Sequence, residues 1–187
     1  GSEALEKFQP RSFNMGLSKE AFEKSAGFGN IHPGEDPDLS IRLWNLGYET
    51  KLFKDVYVYH KRRIDWKKFY TQVNKFGKAR PILNSWYPQY SKLTFWFPSV
   101  FLIGFLTSLV LYFFSFSYLF YIYVCYFILI GIFSLIQNKS LQIALYSIVA
   151  AIIQFYGYGT GFLKSFYKVH ILKMKPDLAF PELFFKK

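Results

Sequence analysis

The sequence predicts an α/β soluble part that is followed by an amphipathic helix and by an all-α transmembrane region of about three helices. The α/β prediction rests on three leucines at helical spacing in residues 39–46 and on the alternation of valine with tyrosine in residues 56–59. The transmembrane prediction rests on residues 93–138, a run of 46 residues without Asp, Glu, Lys or Arg. Because one bilayer crossing needs about 20 apolar residues, this run is long enough for two helices.

The soluble part is predicted to cover residues 1–64. Its glycines, prolines and apolar repeats divide it into short elements. In chain order these are a strand over 11–16, a helix over 19–25 with Ser18 as its N-cap, a loop over 27–34, a helix from Asp36 to Gly47, and a strand over 48–60. A domain of about 60 residues buries a modest fraction of its surface, so we expect it to pack on another part of the protein.

Three carboxylates cluster at the start of the second predicted helix, at Glu35, Asp36 and Asp38. The N-terminal end of a helix carries partial positive charge and stabilises acidic side chains there. Pro37 fits the same turn, since its missing N–H costs nothing at the first helical positions. The arrangement is typical of an active-site edge, and it is also typical of a helix that is simply capped by acids.

Residues 65–92 are predicted to form an amphipathic helix and a linker. Aromatic and small residues recur at helical spacing over 64–80, opposite lysines and polar residues. Such a helix lies in the headgroup plane of a membrane, or it packs on protein as an ordinary domain helix. Residues 61–92 contain nine basic residues and a single acid, Asp65, so the positive-inside rule places this segment and the soluble part in the cytoplasm.

The transmembrane region is predicted to cover residues 93–163, with helices near 95–114, 118–136 and 141–161. A soluble apolar core is not indicated, because these segments lack a polar face. Three crossings would place the basic tail, residues 164–187, across the membrane from the soluble part, although its six lysines favour the cytoplasm. A re-entrant span or a different path through residues 93–138 would remove this conflict. We expect instead that the basic residues of 61–92 determine the orientation of the protein in the membrane.

The charge and composition indicate a membrane partner. The chain carries a formal net charge of +11 and 52% hydrophobic residues. A strongly basic chain is compatible with nucleic-acid binding, but here the basic residues lie beside the apolar segments, where anionic lipid headgroups account for them. We therefore expect an integral membrane protein that binds membrane lipids and no nucleic acid.

Several motifs occur in a characteristic order along residues 11–90. They are the Gly27-Phe28-Gly29 loop, the Glu35-Asp36 pair, a helix that continues Asp-Leu-Ser-Ile-Arg-Leu, a Gly-Tyr helix exit, His60 at the end of a predicted strand, and Gln72 in the amphipathic helix. Together with the membrane segments they resemble the C-terminal part of a membrane-bound, family-2 glycosyltransferase of GT-A fold. The soluble part would then be a partial GT-A domain whose nucleotide-binding half is missing.

The resemblance implies roles for these residues. Asp36 would be the catalytic base that takes the proton from an acceptor hydroxyl and inverts the anomeric configuration, because an alcohol attacks poorly without a base. The alternative is that Asp36 is merely a helix-capping acid. His60 would help to hold a divalent metal, Mg²⁺ or Mn²⁺, whose main ligands belong to the missing N-terminal half. Substrate binding would fall to Gly27, Phe28, Gly29, Glu35 and Gln72.

The implied partners are a nucleotide-sugar donor and a lipid-linked or glycan acceptor. Because the donor-binding half of the family would precede Arg11, we expect this chain to be a fragment that does not transfer sugar alone. Gln72 is not followed by the Arg-Trp of the processive polysaccharide synthases, so that subgroup is not indicated. The alternative is a non-enzymatic membrane subunit with a small cytoplasmic domain, which leaves the glycine loop and the acid cluster without a role.

Overall fold

The protein is a helical assembly. The computed structural model describes residues 7–53, 55–59 and 65–185. It is 72% helical, and the described residues contain no strand, so the predicted α/β class and its partial GT-A fold are wrong. The α-helices are α1 (Lys19–Lys24), α2 (Glu35–Asn45), α3 (Trp66–Trp86), α4 (Phe97–Phe113), α5 (Tyr118–Asn138), α6 (Leu141–Phe166) and α7 (Pro176–Ala179).

Both predicted strands fail for lack of a pairing partner. The first, over 11–16, is instead a short 3-10 helix, Ser12–Asn14. The described part of the second, over 48–60, is irregular, and its alternating side chains are exposed on both faces, Val56 by 64% and Tyr57 by 66%. Alternation stabilises a strand only when a neighbouring backbone pairs with it, and the only isolated β-bridge among the described residues joins Ile31 to Phe184.

The two short helices of the soluble part follow their sequence signals. Ser18 caps α1 as expected, because its hydroxyl accepts a hydrogen bond from the Ala21 N–H at 3.2 Å. Helix α2 buries Leu39 and Leu43 against Ala21 in a small cluster. The third leucine of the predicted apolar face, Leu46, is 51% exposed, since α2 ends one residue before it.

Helix α3 is longer than the 64–80 segment predicted for it and packs along α6. Asp65 caps it by accepting from the Lys68 N–H at 2.7 Å, and it continues through Pro81 to Trp86. The Asn74 amide donates to the Gly157 carbonyl oxygen at 2.9 Å. One face of α3 therefore rests on protein, as the second of the two sequence interpretations expects.

Glycines allow α3 and α6 to approach closely. A Cβ atom placed on Gly77 would collide with the carbonyl oxygen of Tyr158, and one on Gly161 would collide with that of Asn74. We expect Gly77→Ala to destabilise the protein by about 1–3 kcal/mol, the usual cost of overpacking. Thermal unfolding in detergent measures this loss. Gly16→Ala is the matched control, because a Cβ there meets nothing within 4 Å, and equal melting temperatures for the two variants would refute the close-approach argument.

Within the part of the chain that the structure describes, three helices are long and apolar enough to cross a membrane, as the sequence predicts. They are Leu93–Phe113, Tyr118–Asn138 and Leu141–Ile171. The first two are joined by a turn at the predicted place, where Ser115 takes a positive φ of 67°. Lys139, with φ of 52°, ends α5, and the Ser140 hydroxyl accepts from the Ile143 N–H to cap α6.

The chain returns to the soluble part after α6. A π-helical turn, Tyr167–Ile171, ends α6 and leads into the returning segment, which we define as residues 172–185. This segment joins a buried cluster with the loop before α2, with α3 and with the end of α6. The cluster consists of Ile31, Ala79, Ile82, Val169, Ala179, Phe180 and Leu183.

Candidate functional site

The three carboxylates at the start of α2 lie in three different environments. Gly34, whose φ of 132° suits glycine, precedes the helix and lets the chain turn sharply into it. Glu35, Asp36 and Asp38 follow within one turn, where the helix end favours negative charge. Because each acid has its own set of partners, each can do different chemistry.

Asp36 is almost buried, with 8% of its surface exposed. Its Oδ1 accepts a hydrogen bond from the Ser12 N–H at 3.1 Å, and its Oδ2 lies 4.0 Å from Nη1 of Arg11. A carboxylate has about four acceptor positions on its two oxygens. Asp36 therefore keeps acceptor positions beyond these contacts, and Arg11 lies beside Oδ2.

Glu35 has one paired and one unpaired oxygen. Its Oε1 lies 2.8 Å from Nδ1 of His32. Its Oε2 is buried and has no hydrogen-bond partner among the described residues. Buried polar atoms are nearly always satisfied, so this oxygen is positioned to accept from a ligand or a water molecule.

Asp38 and Arg42 fix the glycine loop against α2. The Arg42 guanidinium donates to Asp38 Oδ2 at 2.8 Å, to the Gly27 carbonyl oxygen at 2.7 Å, and also to the Ser25 carbonyl oxygen. A Cβ on Gly29 would collide with Asp38 Oδ2. Glycine at position 29 thus lets the loop lie directly on the buried ion pair.

Tyr87 ties this ion pair to the end of α3. Its hydroxyl donates to Asp38 Oδ1 at 2.6 Å. Burial raises the pKa of Tyr87 well above its usual value, and the hydrogen bond to the ionised Asp38 raises it further. Tyr87 therefore remains a donor at physiological pH and holds α2 against the end of α3.

A cleft lies between the loop before α2 and the first three turns of α3. Its volume is about 520 Å³, and we refer to it as the basic cleft. The residues that matter for its chemistry are His32, Lys67, Lys68, Gln72, Lys75 and Phe76. The Phe76 ring lies 5.7 Å from the Arg11 guanidinium carbon, and Arg11 in turn contacts Asp36. The basic cleft and Asp36 are thus separated by one side chain.

The described residues hold no ready-made set of metal ligands. They contain no group of three or more His, Cys, Asp or Glu side chains that could hold an ion. Asp36, Asp38 and Oε1 of Glu35 contact protein groups, while Oε2 of Glu35 has no hydrogen-bond partner among the described residues. His60, the residue that the family resemblance implies as a metal ligand, lies outside the described residues.

The structure gathers the substrate-binding residues suggested by the sequence into two groups. Gly27 and Gly29 surround the Asp38–Arg42 pair, with Phe28 exposed beside them and in edge contact with Phe22. Gln72 lines the basic cleft, and Glu35 is connected to the cleft by its contact with His32.

Sequence reasoning did not assign Arg11, Arg42 and Tyr87 to the site. The four-residue spacing of Asp38 and Arg42 within a helix is a recognisable pairing signal, whereas Tyr87 is 49 residues from its partner and carries none.

A protein-family model described as "Glycosyl transferase family group 2" matches residues 13–134, which is more than half of the 187 residues. The match includes the glycine loop, the acid cluster, α3, α4 and most of α5. No curated protein and no solved structure shows a significant match to the chain.

Proposed function

The chain belongs to glycosyl transferase family group 2, and from this premise we propose that it acts in an inverting glycosyltransferase at a membrane surface. The donor would be a nucleotide sugar and the acceptor a lipid-linked molecule or a glycan. The observation that carries the proposal is the position of Asp36, a buried acid that is one side chain away from a basic cleft. The cleft lies on a helix that packs against an apolar, membrane-type helix.

Asp36 would act as the general base. As the acceptor oxygen attacks the anomeric carbon, its proton passes to the Asp36 carboxylate, and the bond from that carbon to the nucleotide diphosphate breaks. The diphosphate leaves with the electron pair, and attack from the opposite side inverts the anomeric centre. A positioned base typically accelerates such a step by about 10²–10⁴-fold. Arg11 must move aside for the acceptor, which its 57% exposed side chain permits.

Glu35 and the glycine loop would orient the acceptor. The unpaired Oε2 of Glu35 can accept from a second hydroxyl of the same sugar, because a buried acceptor without a partner gains most from a ligand donor. Gly27 and Gly29 let the loop pack closely on Phe22 and Asp38, which would hold the exposed ring of Phe28 as an apolar face for the substrate. These contacts would fix the attacking hydroxyl next to Asp36.

The basic cleft would bind an acidic group of the acceptor. Lys68 is paired with Asp65 at 3.2 Å, whereas Lys67 and Lys75 have no ion pair with a described residue. Ammonium groups form strong, charge-assisted hydrogen bonds to phosphate oxygens, so a phosphate of a lipid-linked acceptor fits here beside Gln72. We place the cleft on the cytoplasmic side, because nine basic residues accompany it in residues 61–92.

Reversing one charge in the cleft tests the acceptor site. We expect Lys75→Glu in the full-length protein to raise the KM for a lipid-linked acceptor about tenfold, equivalent to about 1.4 kcal/mol, and to leave the KM for the donor unchanged. Transfer is measured as radiolabel that moves from a nucleotide sugar into a lipid extract of the membranes.

Lys19→Glu is the matched control, because Lys19 lies on α1, highly exposed and outside the cleft. Equal acceptor KM values for the two variants, or a changed donor KM for Lys75→Glu, would argue against the cleft as the acceptor site.

A further inference from the structure

We infer that the returning segment lies on the same side of the membrane as α2 and holds the loop that leads to Glu35 and Asp36. Its place relative to the membrane follows from packing alone. Its effect on catalysis rests on the proposed function, because only that function makes Asp36 a base. Three sets of contacts, to the loop, to α3 and to the end of α6, carry the inference.

The first set joins the returning segment to the loop before α2. The His32 N–H donates to the Leu183 carbonyl oxygen at 2.7 Å, and Ile31 forms an antiparallel bridge with Phe184. Ile31 is fully buried, together with Phe180 and Leu183. Since Ile31 and His32 are only a few residues from Glu35, the segment fixes the backbone from which the acid pair projects.

The second set joins it to α3. The Lys78 ammonium lies 2.9 Å from Glu182 Oε1 and 5.6 Å from the centre of the Phe180 ring. Burial alone would raise the pKa of Glu182, but the hydrogen bond and charge of Lys78, together with a backbone hydrogen bond and the charge of Lys164, outweigh burial and lower that pKa below the usual value. Glu182 is therefore ionised at physiological pH, and the pair ties the segment to α3 close to the basic cleft.

The third set joins it to the end of α6. The Lys168 ammonium, in the π-helical turn that ends α6, donates to the Ala179 carbonyl oxygen at 3.2 Å. His170 Nε2 of the same turn lies 3.0 Å from the Pro81 carbonyl oxygen, which holds this turn against α3. The returning segment is thus held by the loop, by α3 and by α6 together. A chain that is packed on the loop before α2 cannot have a bilayer between itself and that loop.

The number of crossings between α2 and the returning segment is therefore even on this inference, which replaces the expectation that the tail lies across the membrane. Helices α4 and α5, with mean hydropathies of 1.9 and 2.4 against 1.4 for α6, are the better crossing pair. They are joined by a short turn and contact each other near it, through Tyr112 and Phe120. We assign the two crossings to this hairpin.

Helix α6 lies across the end of the hairpin that is nearer to the soluble part. Its partners on α4 come from the first half of that helix, as when Phe155 stacks on Phe101 at 3.8 Å. Its partners on α5 run from the end of that helix to near its middle: the Ser147 hydroxyl lies 2.8 Å from that of Ser134, and the Phe155 ring lies 6.1 Å from that of Tyr126. The start of α4 and the end of α5 both lie at the end of the hairpin that is on the side of α2.

Helix α6 also packs lengthwise along the charged helix α3. At the start of α3 the Trp66 ring lies 5.6 Å from the Tyr146 ring, and near its end the Pro81 carbonyl oxygen is hydrogen-bonded to His170. Lysines are strongly disfavoured in the hydrocarbon core, and α3 carries Lys67, Lys68, Lys75 and Lys78. The α3–α6 pair therefore belongs to the membrane surface, which places the returning segment beside α2.

Cysteine labelling tests the topology without any activity. In a Cys125→Ser background of the full-length protein, single cysteines replace Lys19 in α1, Phe116 in the α4–α5 turn and Leu178 in the returning segment, all three exposed. We expect an impermeant maleimide to label Lys19→Cys and Leu178→Cys in vesicles of one orientation and Phe116→Cys only in the other. Labelling of Leu178→Cys together with Phe116→Cys would overturn the inference.

Reversing the charges of the Lys78–Glu182 pair tests whether the returning segment contributes to catalysis. We expect Lys78→Glu and Glu182→Lys each to lower kcat roughly threefold to tenfold with an unchanged donor KM, and the double variant to recover most of the loss. A merely local contact would leave kcat unchanged in all three variants, and that outcome would overturn the positioning role. If the wild type transfers no sugar at all, the proposed function fails, while the labelling result still decides where the returning segment lies.

Discussion

Asp36→Asn in the full-length protein is expected to lower the rate of sugar transfer by about 10²–10⁴-fold, the usual contribution of a general base. An amide cannot take the proton of the acceptor hydroxyl, so the attacking oxygen stays a weak nucleophile. The side chain keeps its size, and its remaining oxygen can still accept from the Ser12 N–H. We therefore expect the melting temperature and the dissociation constant of the nucleotide sugar to stay close to the wild-type values.

The comparison with a second aspartate isolates the base from a general charge effect. Asp55→Asn removes the same charge from an exposed position of the soluble part and should leave kcat unchanged. Initial rates at saturating donor, with donor binding measured separately, distinguish lost chemistry from lost binding. If Asp36→Asn keeps more than a tenth of the wild-type kcat, Asp36 is not the base.

Arg42→Ala is expected to have the largest effect on stability. Asp38 is 5% exposed, and removal of its cationic partner leaves a buried charge uncompensated, which costs about 3–5 kcal/mol. The Ser25 and Gly27 carbonyl oxygens lose their donor in the same variant. At about 2–4 °C for each kcal/mol in a chain of this size, thermal unfolding in detergent should move down by about 6–20 °C.

Two further variants test the cause of this loss. Arg42→Ala combined with Asp38→Asn should recover part of the stability, because the unpaired buried charge is gone. Arg11→Ala is the matched control, because Arg11 is more than half exposed and lies 4.0 Å from Asp36, which makes its ion pair worth at most about 1 kcal/mol. A shift for Arg42→Ala no larger than that for Arg11→Ala would show that the buried pair does not hold the loop.

Features that depend on neighbouring residues could be predicted from the sequence. The cap at Ser18, the turn at Ser115 and the three apolar helices are set by residues within a few positions of one another. The strand over 48–60 could not be judged in this way. Its alternation is a true local signal, but a strand needs a backbone partner, and a partner cannot be read from the strand's own residues.

The residues of the candidate site also differ in whether their contacts are local in sequence. The glycine loop and the acid cluster are contiguous in sequence and were found there, as was Gln72 on the neighbouring helix. Tyr87 reaches Asp38 over 49 residues, and Glu182 reaches Lys78 over 104. Contacts over such distances depend on how α3 and α6 pack, and this packing is set by small residues such as Gly77 whose role is visible only in the folded chain.

The most direct test of the account is a transfer assay in matched membranes that contain either the wild-type or the Asp36→Asn full-length protein. Each membrane is incubated with a panel of radiolabelled nucleotide sugars, and label is measured in the lipid extract and in the remaining glycan. The account predicts that at least one donor labels a product with the wild type and that this label falls at least a hundredfold with Asp36→Asn. No labelled product from any donor, or equal labelling by both proteins, would contradict it.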